Sequence, residues 1–97
     1  MNTYITLMKL TDQGIKNLKD APERIEANLK GIEKAGGKLI GFYSTLGEYD
    51  YIAIAEGTSD ESAAIFNLAL CSQGNVRTTT LRAFTTKEFA DMIKKLP

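Results

Sequence analysis

Histidine is absent from this 97-residue chain, and cysteine occurs once, at Cys71. Without histidine the chain lacks the side chain that most often serves as general base or metal ligand near neutral pH. A single cysteine closes no internal disulfide and fits a reducing compartment. The two shortages argue against zinc and haem, and no cofactor is expected. Neither sign of charge is in excess, because twelve Lys and Arg balance twelve Asp and Glu. That removes the electrostatic basis for binding nucleic acid or an anionic membrane, and neither is expected as a partner. Long apolar runs are missing too, none approaching the roughly 20 residues of a membrane span. Met1-Asn2-Thr3-Tyr4 is not a basic stretch followed by an apolar one, so no secretory signal is evident and a cytoplasmic location is expected. Glycine loops that cradle phosphate are absent: Gly31 and Gly36-Gly37 fit neither G-x-G-x-x-G nor G-x-x-x-x-G-K-S/T.

What is present is an apolar content of 43%, ordinary for a folded protein, in a chain long enough for one domain over residues 1–97. The rest is arranged around Leu39–Ala55, two apolar runs flanking Leu46-Gly47-Glu48-Tyr49-Asp50. Strands are predicted at Tyr4–Leu10, Lys38–Thr45, Asp50–Glu56 and Asn75–Arg82, where β-branched and aromatic residues cluster. Thr11-Asp12-Gln13-Gly14 reads as a turn, and Ile15–Lys19 as turn or loop. A helix over 21–35 follows, with Asp20 and Glu23 as an acidic capping box, Pro22 in the first turn and Gly36-Gly37 as the stop. A second helix starts at Thr58 or Ser59 and ends at Gly74, with Ala64, Ile65, Leu68, Ala69 and Cys71 on its apolar side. A third helix is capped by Thr85 and Glu88, Phe84 and Phe89 occupy staple positions, and Phe89, Met92, Ile93 and Leu96 form an apolar stripe.

The order β-α-β-β-α-β is the α+β, ferredoxin-like sandwich, here with an extra C-terminal helix. Right-handed crossovers put its two inner helices on one face of an antiparallel sheet and leave the other bare. If residues 45 and 50 pair, Leu39, Tyr43, Ile52 and Ile54 share one face, and Ile40, Phe42, Tyr51, Ala53 and Ala55 the other. Neither face is polar, whereas a solvated antiparallel sheet normally keeps one polar face. The cover is either the C-terminal helix or the same face of a second chain. A homodimer or larger ring is the expectation, since sheet-to-sheet packing buries more area.

Tyr4-Ile5-Thr6-Leu7 with Thr11-Asp12-Gln13-Gly14, Gly36-Gly37-Lys38, Phe42-Tyr43-x-x-Leu46-Gly47-Glu48-Tyr49-Asp50 and Gly74-Asn75-Val76-Arg77-Thr78 resemble the GYD domain family. Gly47, Tyr49 and Asp50 stand where its Gly-Tyr-Asp lies. The resemblance covers essentially the whole chain and implies a ferredoxin-like fold of the dimeric α/β-barrel type. It implies no catalytic residues.

Tyr49 and Asp50 place a phenol beside a carboxylate, an acid–base pair or, at a turn, simply backbone caps and a ring over the strand ends. Tyr4, Tyr43 and Tyr51, with Phe42, either line a pocket or fill core and interface. Arg77 and Arg82, five apart on one strand, point to opposite faces, and the half-buried one pairs with Asp50 or Glu56 or binds a ligand anion. Cys71 reads as a packing residue, at the wrong end of its helix for a catalytic thiolate. The candidate ligand-binding residues are therefore Tyr43, Tyr49, Asp50, Arg77 and Arg82. The function expected is a homo-oligomeric small-molecule-binding or regulatory module. The alternatives are a cofactor-independent enzyme of monooxygenase or isomerase type and an assembly-forming structural protein.

Overall fold

The computed structural model describes all 97 residues. Strand β1 (Asn2–Leu10) is followed by a short helix α1 (Asp12–Lys16), a 3-10 turn (Leu18–Asp20) and helix α2 (Ala21–Lys34). Strands β2 (Lys38–Ser44) and β3 (Tyr51–Gly57) form the hairpin, and helix α3 (Asp60–Ser72), strand β4 (Val76–Ala83) and helix α4 (Thr86–Ile93) complete the chain. The sheet order is β2-β3-β1-β4 with every pair antiparallel. This is the ferredoxin-like α+β arrangement, α2 packing on β2 and α3 on β3 and β4.

Local chemistry accounts for most boundaries. Gly36 (φ 85°) ends α2, and Gly47 (φ 103°) turns the hairpin, conformations that L side chains rarely adopt. Of the two caps open to α3, Ser59 is the one used, its hydroxyl accepting from Ser62 N at 3.1 Å. Thr85 and Glu88 form the reciprocal capping box of α4. Two expectations fail. Thr11, with Gly14 N donating to its hydroxyl at 3.1 Å, caps a helical turn where a simple turn was expected. Asp20 makes no capping bond, because the 3-10 turn already leads the chain into α2 in helical geometry.

The helix side of the sheet presents Tyr4, Thr6, Met8, Tyr51, Ala53, Ala55 and Phe42. Met8, Tyr51, Ala53 and Leu70 form the core, with Ile25, Phe42, Phe66 and Val76 against it. Residues 45 and 50 pair across the turn as expected, Thr45 N donating to the Asp50 carbonyl at 2.9 Å. A bulge at Ile40 then shifts the register, so Leu39 pairs with Ala55 and lies on the helix side rather than with Ile52 and Ile54. Helix α3 is also rotated from the expected orientation. Phe66 and Leu70 face the core, whereas Ile65 and Leu68 are exposed and Cys71 is an exposed thiol.

The other face of the sheet carries Ile5, Leu7, Tyr43, Ile52, Ile54 and Leu81, of which Tyr43 and Leu81 are exposed and the other four half-buried. The C-terminal helix α4 packs substantially on no other element, and its stripe of Phe89, Met92, Ile93 and Leu96 is exposed. The radius of gyration is 14.8 Å, against about 12.5 Å for a compact chain of this length. Only nine residues are buried and no large side chain is fully enclosed, so the isolated chain has an incomplete core.

Candidate ligand-binding site

The five sequence-derived candidates do not converge. Tyr43 lies on the open face, where its ring approaches Gly41 so closely that a Cβ there would stand 3.0 Å from Cε2. Arg77 points to the same face from β4 and has no carboxylate within ion-pair distance. Tyr49 sits in the hairpin turn with Lys9 Nζ 5.3 Å from its ring centre. Asp50 accepts from Leu10 N through Oδ2 at 2.8 Å, and its own N–H donates to the Met8 carbonyl at 2.8 Å. These two bonds tie the hairpin to β1.

Of the five, only Arg82 lines the groove described below. It lies on the helix side, opposite Arg77 as the five-residue spacing requires. Its carboxylate partner is neither Asp50 nor Glu56 but Asp60, the first residue of α3, with Nε 4.0 Å from Oδ1. Arg82 also donates to Asn2 Oδ1 at 2.9 Å and to the Ala83 carbonyl. Its guanidinium stacks 4.5 Å from the Phe84 ring centre and 5.8 Å from that of Tyr4. The Tyr4 hydroxyl donates to Asp60 Oδ1 at 2.6 Å. Burial first, then the Asp60 carboxylate it bonds, raises the Tyr4 phenol above its ordinary value and keeps it a proton donor.

From this cluster a groove of about 450 Å³ runs between α3 and β4, bounded by Asn67, Leu68 and Cys71 on the helix and Thr78 and Thr80 on the strand. Its floor is polar where a helix-covered sheet is ordinarily apolar. Asn67 donates to Thr80 Oγ1 at 2.5 Å, Thr80 and Thr6 hydroxyls lie 3.3 Å apart, and Cys71 Sγ is 3.4 Å from Thr78 Oγ1. Asn67 Oδ1 is left buried without a donor. Such an orphan costs about 1–3 kcal/mol. A second, narrower cavity shares Tyr4, Ala63 and Asn67 and reaches α2 over the small residues Ala35, Gly37, Ala53 and Gly57. Tyr51 and Phe42 lie outside the groove, their rings packed 5.4 Å apart in the core.

Sequence reasoning named Arg82 and Tyr4 but missed Asp60, Asn67, Thr78 and Thr80. The signal was present: Asn67 interrupts the otherwise apolar run Ala63–Cys71, and Thr78 and Thr80 are alternate residues on the strand face beneath it. No group of three His, Cys, Asp or Glu side chains is placed to hold a metal ion. No helix is long and apolar enough to cross a membrane.

The family model for the GYD domain matches residues 4–93. The chain belongs to the GYD domain family. Within this GYD domain, the residues of the Gly-Tyr-Asp motif form the turn and its bonds to β1, and do not line the groove. A Thermus thermophilus protein named glutamine synthetase and cystathionine beta-lyase binding protein is 36% identical over 97 residues, covering 99% of each chain. Among solved structures, the leucine response regulatory protein of Mycobacterium tuberculosis superposes with a TM-score of 0.64 at 22% identity, over 88% of this chain. The match spans about half of that regulator, at 51%. A further protein of Thermus thermophilus superposes with a TM-score of 0.56 at 24% identity, over 89% of this chain and 96% of its own. These two likenesses establish the fold.

Proposed function

We propose that this GYD domain is a homo-oligomeric binding module with a regulatory role, joined to a second copy through its open sheet face. The apolar surface of Ile5, Leu7, Ile52, Ile54 and Leu81, left bare by its own C-terminal helix, carries this reading. A self-complementary face of this kind closes by two-fold symmetry. The groove between α3 and β4 then remains free for a small molecule. The relative's name supports binding as the role, and by that likeness the protein partner is an enzyme of amino-acid metabolism. Exposed Ile65 on α3, which does not line the groove, is the docking residue for it.

Sedimentation equilibrium at micromolar concentration tests the core of the proposal. The expected mass is a multiple of 10.7 kDa, and the paired substitutions Leu7→Lys and Ile52→Glu reduce it to one chain. A wild-type monomer would sink it.

A further inference from the structure

The groove between α3 and β4 carries charges of both signs at one end and an unanswered acceptor in its wall. Asp60 Oδ1 is occupied by the Tyr4 phenol at 2.6 Å, while Oδ2 has no hydrogen bond. Of the five N–H groups of a guanidinium, Arg82 commits one to Asn2 and one to the Ala83 carbonyl. A free cationic donor and a free anionic acceptor thus stand side by side, Arg82 being 28% and Asp60 79% exposed. Farther along, Asn67 Oδ1 awaits a donor. Between them Ala63, Ala64 and Leu68 supply apolar wall.

We propose that this groove binds a small zwitterion of the α-amino acid type. Its carboxylate lies on Arg82 and its ammonium on Asp60 Oδ2, and a turn of the Asn67 side chain toward the groove brings Oδ1, closed to solvent in the free chain, to an N–H or O–H of the ligand's polar side chain. The inference rests on the reading of the chain as a ligand-binding module and names the ligand class of that site. Charge arithmetic selects the class. A simple anion meets the exposed Asp60 carboxylate, and a simple amine meets Arg82, so each loses with one neighbour what it gains with the other. An α-amino acid holds its two charges one carbon apart and lies head to tail along the pair. Phosphorylated ligands carry more negative charge than one guanidinium beside one carboxylate answers. A volume of about 450 Å³ admits a molecule of amino-acid size.

Isothermal titration of the full chain with L-serine, L-asparagine, L-glutamine and L-leucine tests this, with ethanolamine and 3-hydroxypropionate as serine analogues lacking one charge. The same samples are examined by sedimentation. At least one polar amino acid is expected to bind with a Kd of about 1 mM or tighter, and L-leucine and both analogues about tenfold more weakly or worse. Asn67→Leu weakens that polar amino acid about tenfold and erases its advantage over L-leucine. Asp60→Asn, which keeps the hydrogen-bond acceptor but not the charge, weakens all the amino acids. An oligomer that binds none of them up to about 10 mM overturns the ligand assignment and leaves the assembly standing. Equal binding of the single-charge analogues, or of the Asn67→Leu protein, also overturns it. A monomer that binds amino acids overturns the assembly alone.

Discussion

The Asp50 carboxylate accepts a hydrogen bond from the backbone N–H of Leu10 at 2.8 Å, and the Asp50 N–H donates to the Met8 carbonyl at the same distance. One residue of the hairpin turn thereby closes the end of β1 from both directions. Asp50→Ala leaves the half-buried Leu10 N–H without its charged acceptor and is expected to cost about 2 kcal/mol in urea unfolding. Unchanged stability would show that the Asp50 carboxylate adds nothing to the fold.

Gly14 faces a harder constraint. A Cβ there would stand 2.1 Å from the Asn75 carbonyl oxygen, which already accepts from Thr11 N at 3.0 Å. The clash is with backbone and cannot be relieved by a rotamer. Gly14→Ala is expected to cost about 3 kcal/mol, read as a fall in melting temperature. Gly57→Ala, whose Cβ meets the Tyr4 ring at 3.2 Å, is expected to be milder.

Asn67→Leu removes the orphaned acceptor together with the bond to Thr80, whose hydroxyl keeps Thr6 as a neighbour. Relief of the buried carbonyl outweighs one ordinary hydrogen bond, so the variant is expected to be more stable by about 1 kcal/mol in chemical denaturation. A loss of stability would mean that the acceptor is satisfied in solution. A gain, paired with loss of ligand, is the usual exchange between stability and function at a binding site.

Helix α4 should respond to acid. The Thr85 backbone N–H, 2.9 Å from Glu88 Oε1, and then the Thr85 side chain hold the Glu88 carboxyl below its ordinary value of 4.5. A depressed carboxylate contributes stability that is complete above the unfolded value and is lost as pH falls through the folded one. Amide shifts of Thr86–Ile93 are therefore expected to move toward unfolded values as pH drops below 4.5. Glu88→Gln should remove the pH dependence while retaining the helix start at Thr85.

Much of this architecture is legible in the residues because short-range chemistry writes it. Gly47 needs its positive φ, Thr85 and Glu88 sit three apart, and the pairing of residues 45 and 50 follows from a four-residue turn. The bulge at Ile40 is not legible, since a β-branched residue is an ordinary strand residue and only the neighbouring Gly41 hints at irregularity. The rotation of α3 was hidden for a different reason. Ala, Ile, Phe and Leu occupy nearly all sides of Asp60–Ser72, so periodicity selects no inward stripe. The pairing of Arg82 with Asp60 joins a strand to the start of a helix, a distance that no local motif encodes.

The bulge at Ile40 also bears on how copies of this chain can meet. It lies on β2, one of the two outermost strands, and breaks the regular row of backbone donors and acceptors that an incoming strand would read. On the opposite edge, β4 carries the charged side chains of Arg77 and Arg82. Strand-by-strand growth into fibrils is thereby discouraged at both margins, while the broad apolar surface is left available. Under the proposed sheet-to-sheet assembly, association is channelled into contacts that close on themselves and have a fixed number of members.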